Sequence, residues 1–269
     1  MIHFLPQCLQ ENREPISVAL IGAGGTGSQL LTHLARIHLS LQALGRQGLR
    51  VIVYDPDTVT EANIARQLFS FQDEGGNKAV TLVSRINRFF GSDWLAVPAK
   101  FHRGNAERCN VYLTCVDSVK ARKQCYSVMK KLVTNYESSH QSFYWLDTGN
   151  MRDFGQVVLS SLTKITQPDS QYETLSRLPN VLQLFPGMVE EADLDNEPSC
   201  SLAEAIGKQD LFINTAIAMQ AGQLLWQLLK EGYTTSQGSF VNLKTGKTNA
   251  LPLRSAKLRP TKTLLAKAS

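Results

Sequence analysis

The chain has 269 residues, 43% of them hydrophobic and 19% charged, with a formal net charge of +5. That length holds one large α/β domain, or such a domain with a small lobe, and the composition is that of a soluble globular chain. Five cysteines, Cys8, Cys109, Cys115, Cys125 and Cys200, are odd in number and nowhere spaced C-x-x-C; this argues against a disulfide framework and against a structural zinc site, and for a reducing cytoplasm.

The first residues, MIHFLPQCLQENREP, lack a basic start followed by an apolar signal core, so export is not expected. The longest apolar region, residues 211–229, is interrupted by Asn214, Thr215, Gln220, Gln223 and Gln227. Lipid would penalise those side chains, so a buried helix is expected and no membrane partner. Residues 254–269 carry Arg254, Lys257, Arg259, Lys262 and Lys267 with no acid, and the rest of the chain balances 23 basic against 23 acidic residues. A flexible, solvated tail is the expectation, with weak contact to nucleic acid the alternative; no basic DNA-reading helix accompanies it.

Residues 18–28, VALIGAGGTGS, are an apolar run emptying into four glycines within six residues. The pattern predicts a strand, a tight turn and a helix start. Gly22, Gly24 and Gly27 match the G-x-G-x-x-G spacing, in which one glycine makes the turn, one lets the backbone approach a phosphate and one packs helix on strand. The helix N-terminus then offers free N–H groups to an anion. Apolar residues at Leu30, Leu31, Leu34, Ile37 and Leu41 continue the helix over residues 29–41, and Gly45 and Gly48 end it. RVIVY, residues 50–54, predicts a second strand parallel to the first, closed by Asp55. An acid there lies beside the glycine turn and suits two ribose hydroxyls. Asp55 and Asp57 flanking Pro56 also fit a plain turn.

A polar loop, TVTEANIARQLFS, precedes a helix beginning near Lys78. Residues 93–99 and 110–116 read as strands, the second ending in Asp117, followed by a helix over 118–136 and strands over 143–146 and 156–160. From 164 to 200 four prolines and the acidic run EEADLDNEP predict a long crossing loop. A helix over 209–231 and a β-hairpin built from SFVNL and TNALPL complete the pattern. The fold class is therefore α/β: a Rossmann-like, doubly wound, mostly parallel sheet with antiparallel strands at the C-terminal side. Such a sheet gathers Gly25, Asp55, Asn63, Arg66, Lys78 and Asp117 at the C-terminal ends of its strands. Two cations suit phosphates, and an acid suits magnesium. Arg66 and Lys78 also fit plain surface charges, and Asp117 a helix cap.

In order and spacing, GAGGTGS, DPDTVTEANIARQ, GGNK and CVDSVKAR resemble the motifs of the ThiF/MoeB/ubiquitin-activating superfamily. The resemblance covers residues 18–122, and the texture around PSCSLAEAIGKQDLFIN is further similar to the ThiF-like member of plasmid-associated PRTRC cassettes. It implies a single adenylation domain over residues 1–253, a homodimer, and ATP-dependent adenylation of a C-terminal carboxylate of a ubiquitin-like or sulfur-carrier-type protein. By the same resemblance the glycines Gly22, Gly24, Gly25 and Gly27 would cradle nucleotide and Asp55 would hold the ribose. Asn63, Arg66 and Lys78 would hold the triphosphate, with Gln67 beside them, and Asp117 would position magnesium. Cys200 is the candidate thioester acceptor, while Cys115 and Cys125 read as core and helix residues. The chain departs from the family at Ser118, where asparagine is usual, and in lacking the paired zinc cysteines. Arg122 matches a family arginine, and Arg13 is the one N-terminal arginine placed to reach across a dimer. A catalytically degenerate nucleotide-binding adaptor and an NAD-dependent oxidoreductase are the alternative functions.

Overall fold

A computed structural model describes residues 1–64, 66–134, 142–186 and 209–254. The acidic run, Cys200 and residues 255–269 lie outside them. The chain begins with a two-residue strand, β1 (His3–Phe4), and a short helix, α1 (Gln7–Glu11). Strand β2 (Ile16–Ile21) leads into helix α2 (Gly25–Ala43), strand β3 (Leu49–Tyr54), helix α3 (Lys78–Phe90) and strands β4 (Leu95–Val97) and β5 (Val111–Thr114). Helix α4 (Val119–Val133), strands β6 (Tyr144–Asn150) and β7 (Phe154–Ser161) and the four-residue helix α5 (Val181–Leu184) follow. The last described elements are helix α6 (Ile213–Glu231), strand β8 (Tyr233–Thr234) and the hairpin of β9 (Ser236–Asn242) and β10 (Lys247–Pro252).

Eight strands form one sheet in the order β10-β9-β7-β6-β5-β2-β3-β4. The five from β6 to β4 run parallel, and β7, β9 and β10 join antiparallel. This is the Rossmann-like arrangement expected. In β2, Val18 and Leu20 face one core while Ala19 and Ile21 face the other, and in β3 Val51 and Val53 alternate likewise with Ile52 and Tyr54. A central parallel strand is covered on both faces, which is why these segments read as unbroken apolar runs.

Helices α2, α3 and α6 cover the first core with Leu30, Leu34, Leu82, Ile86, Ile217 and Leu225 among their buried residues. Helix α4 covers the second with Cys125, Met129 and Val133 against Tyr112 and Trp145. Fully burying each large aliphatic side chain is worth about 1.5–3 kcal/mol, so the apolar stripe of α6 fixes that helix firmly. Helix α6 runs against α2 so closely that a Cβ on Gly222 would lie 3.1 Å from the Cβ of His33.

The differences from expectation have local causes. Helix α2 starts at Gly25, ahead of the apolar spacing, because its first turn consists of glycines and small polar residues. Within the expected crossing loop, Asn180 caps α5 by accepting the N–H of Gln183 at 3.1 Å. Strands β1 and β8 pair as a separate two-stranded sheet, and elements of two residues carry no readable period. No helix among the described residues is long and apolar enough to cross a membrane.

For the site, one feature of this topology matters most. Strand β2 lies between β3 and β5, with Ile21 opposite both Tyr54 and Thr114. The strand order reverses there, so the segments leaving these three residues splay apart and open a crevice.

Candidate functional site

The glycine turn forms the crevice floor, and each glycine answers a different steric demand. Gly22 has φ +94°, and a Cβ there would lie 2.6 Å from the Cys115 carbonyl oxygen. A Cβ on Gly27 would lie 1.9 Å from the Gly22 carbonyl oxygen, so Gly27 lets helix α2 close on its own turn. Gly24 stays open, with the Gln67 amide 4.0 Å from its would-be Cβ. The first N–H groups of α2 have no partners within the helix and point where an anion would sit.

Asp55 fastens this floor. Its Oδ2 accepts the Ala23 N–H at 2.6 Å and its Oδ1 accepts the Asp57 N–H at 2.8 Å. Burial pushes its carboxyl above the usual range, and the two backbone bonds and the neighbouring Lys78 oppose that rise. Lys78 is placed by the cap of α3: Asn77 accepts the Val80 N–H at 3.1 Å and donates to the carbonyls of Asp55 and Asp57, both at 3.0 Å. The Lys78 ammonium, itself buried, reaches Asp57 at 3.2 Å.

Asp117 is exposed on the turn after β5. The following helix is capped by Ser118, whose Oγ accepts the Ala121 N–H at 3.1 Å. Asp117 is therefore not the helix cap, and Ser118 commits its hydroxyl to the backbone. Beneath the turn, Arg122 pairs with buried Asp147 at 2.7 Å and donates to the carbonyls of Val116 at 3.3 Å and Thr148 at 3.0 Å. Asp147 also accepts from the Thr114 hydroxyl at 2.5 Å.

A cavity of about 480 Å³ results, within the range of small-molecule sites. Its wall includes Gly22, Gly24, Gly25, Asp55, Arg66, Gln67, Lys78 and Asp117, so most expected site residues converge. Gly27 and Asn63 are not on this wall. Gly27 packs inside α2, and Asn63 is a local cap: its Oδ1 accepts the Thr60 N–H at 3.0 Å, which closes a short 3₁₀ turn. Arg13 is on the surface, paired with Glu11 at 2.8 Å.

Sequence reasoning missed the far wall, made of Thr148, Asn150, Gln209 and Asn214. One signal was available for Asn214. It lies three and four residues before Ile217 and Ala218, on the buried stripe of α6, where an amide needs a partner. Cys115 and Cys125 also line the cavity, but burial pushes both thiols up to about 12, which disfavours the thiolate a nucleophile needs. Cys109 is buried and likewise pushed up to about 12.

Among the described residues no three His, Cys, Asp or Glu side chains cluster as a metal cage. The exposed Asp117 carboxylate does fit magnesium, which keeps several waters and is held through one or two carboxylates together with substrate phosphates.

The ThiF family pattern matches residues 1–264 of the sequence. The chain belongs to the ThiF family. No curated protein matches it. Among solved structures, E. coli MccB with ATP has a TM-score of 0.59 at 12% identity, over 93% of this chain and 68% of that one. E. coli MccB with MccA bearing selenomethionine gives 0.55 at 12%, over 92% and 66%, and PaaA gives 0.55 at 12%, over 91% and 66%. This ThiF family member thus shares its fold with chains of which it spans about two thirds.

Proposed function

We propose that this ThiF family member activates the C-terminal carboxylate of a ubiquitin-like or sulfur-carrier-type protein by adenylation with ATP. One observation carries the reading: the glycine turn, Arg66 and Lys78 line one cavity together with an exposed, uncapped Asp117. The glycine turn and both cations would take the triphosphate, and Asp55, at the end of β3, would accept from the ribose. Magnesium held by Asp117 and the phosphates would neutralise charge at the α-phosphate. A carboxylate oxygen of the carrier then attacks the α-phosphorus, the bond to the bridging oxygen of the β-phosphate breaks, and pyrophosphate leaves. Such a transfer depends on positioning and charge neutralisation, and the nucleophile is already ionised, so no strong base is required. The ATP and MccA complexes of MccB support extending a nucleotide and a polypeptide substrate to this chain. If a thioester follows, Cys200 is the residue proposed to carry it, since both cavity thiols are held protonated.

The test is exchange of labelled pyrophosphate into ATP in the presence of a small, glycine-ended protein encoded beside this gene. Exchange should depend on magnesium and fall roughly 100- to 1,000-fold in Asp117→Ala, by analogy with removing one group that stabilises a charged transition state. ATP binding without exchange would assign the adaptor role instead, and tighter binding of NAD than of ATP would overturn the nucleotide assignment.

A further inference from the structure

Arg66 is held differently from three other cations of the first half. Lys78, Arg85 and Arg122 each pair with a carboxylate. Arg66, half-buried in the cavity wall, has no acidic partner among the described residues; its Nη1 donates to Gln209 Oε1 at 2.8 Å, and its buried Nε has no partner. A guanidinium can only donate, so the Gln209 atom facing it must be the oxygen. The same oxygen accepts from Asn214 Nδ2 at 3.0 Å, which turns Asn214 Oδ1 the other way to accept from the Thr26 hydroxyl and from Asn150 Nδ2, each at 3.1 Å. Arg66 therefore fixes the direction of every bond in the chain. Asn214 is 3% exposed and pressed onto the glycine turn, with its Oδ1 2.4 Å from where a Cβ on Gly25 would lie. The relay thus ties the guanidinium to the first turn of α2.

We propose that Gln209 and Asn214 are positioning residues that hold Arg66 at a set offset from the glycine turn with its charge unneutralised, ready for a polyphosphate oxygen. A carboxylate at position 209 would grip the guanidinium harder, because charge-assisted bonds are stronger, yet it would cancel the charge an incoming anion needs. A neutral amide orients without cancelling. The unpartnered Nε supplies the second, independent sign of an anion, since a buried donor left unmade is costly and a phosphate oxygen would satisfy it. This inference rests on the nucleotide reading of the cavity and adds to it the residues that govern affinity for the phosphate chain.

The experiment is titration of wild type, Gln209→Glu and Asn214→Ala with magnesium-ATP, AMP and inorganic triphosphate, with thermal unfolding of each variant in parallel. Gln209→Glu should fold at least as stably as wild type and lose roughly ten- to hundredfold in affinity for ATP and triphosphate, the span expected for a charge-assisted bond, while AMP affinity changes less than about twofold. Asn214→Ala should shift the same ratio in the same direction by a smaller factor. Unchanged ATP affinity in a folded Gln209→Glu, or equal losses for ATP and AMP, overturns the proposal. If wild type binds triphosphate with this sensitivity but shows no preference for ATP over it, the relay stands and the nucleotide reading falls. If wild type binds neither, both fall.

Discussion

The two halves of the chain line the cavity with different chemistry. Among the described residues every charged side chain on its wall, Asp55, Asp57, Arg66, Lys78, Lys100 and Asp117, lies between residues 55 and 117, in the segments that link the parallel strands. Among the described residues from 148 onward the wall is neutral, supplied by Thr148 and Asn150 of β6, Gln209, and Asn214 of α6. A charged wall suits a polyanion and its metal, and a neutral amide wall orients groups without adding charge. The second half also brings Asp147 close, but it points below the cavity, is 1% exposed, and is neutralised by Arg122 from the first half. Among the described residues the division of charge is thus kept beneath the cavity as well as on its wall.

The largest expected effect comes from breaking that enforcement. Arg122→Met leaves the Asp147 carboxylate buried and uncompensated, with one oxygen already lacking any partner. The loss should be about 3–5 kcal/mol in denaturant-induced unfolding, and adding Asp147→Asn should restore most of it. A single variant within about 1 kcal/mol of wild type would show that the pair is not what confines charge to the first half.

This division also governs what was readable in advance. Gly22, Asp55 and Asp117 follow strand ends and Lys78 opens a helix, in an order that topology alone carries to one edge, and the alternation of strands with helices made the parallel sheet plain. Asn150, Gln209 and Asn214 have no such punctuation. A neutral amide is a common surface residue, and its meaning here depends on α6 folding back against α2, a contact between residues nearly two hundred positions apart. Asn63 differs in the opposite sense: it sits inside a family-like motif, yet it lies off the cavity wall and its Oδ1 is engaged by a local turn. Motif position placed the segment, and hydrogen-bond competition decided the side chain.

A smaller effect is expected at the seam between the halves, where Gly25 meets Asn214. Gly25→Ala pushes a methyl group to 2.4 Å from the Asn214 oxygen and should cost about 1–3 kcal/mol through overpacking. In an Asn214→Ala background the same change should cost less than about 0.5 kcal/mol, because the clashing amide is gone. Equal costs in both backgrounds, measured by urea unfolding, would mean that the two halves are not in register at this point.

The smallest effect concerns the side of the fold away from the cavity. Strand β1 pairs with β8, so the start of the chain is built into the far side of the fold, and His3 is buried there between the Leu175 carbonyl, 2.6 Å from Nδ1, and the Tyr144 hydroxyl, 2.9 Å from Nε2. Burial holds this imidazole below its ordinary pKa of 6.5, so the unfolded chain takes up a proton at pH values where the native state does not. The stability contributed by the neutral ring is complete above about pH 6.5 and is lost progressively as pH falls below it, towards the folded-state value. His33 and His38 are lowered by burial as well and act in the same direction. The histidine share of stability should therefore decline on acidification from pH 7 to 5, against the opposite contribution of the raised Asp55 and Asp147 carboxyls, so His3→Gln should make the unfolding midpoint fall less, or rise more, over that range than in wild type. An unchanged slope in His3→Gln would place the acid sensitivity on α2, beside His33 and His38, rather than at the β1 seam.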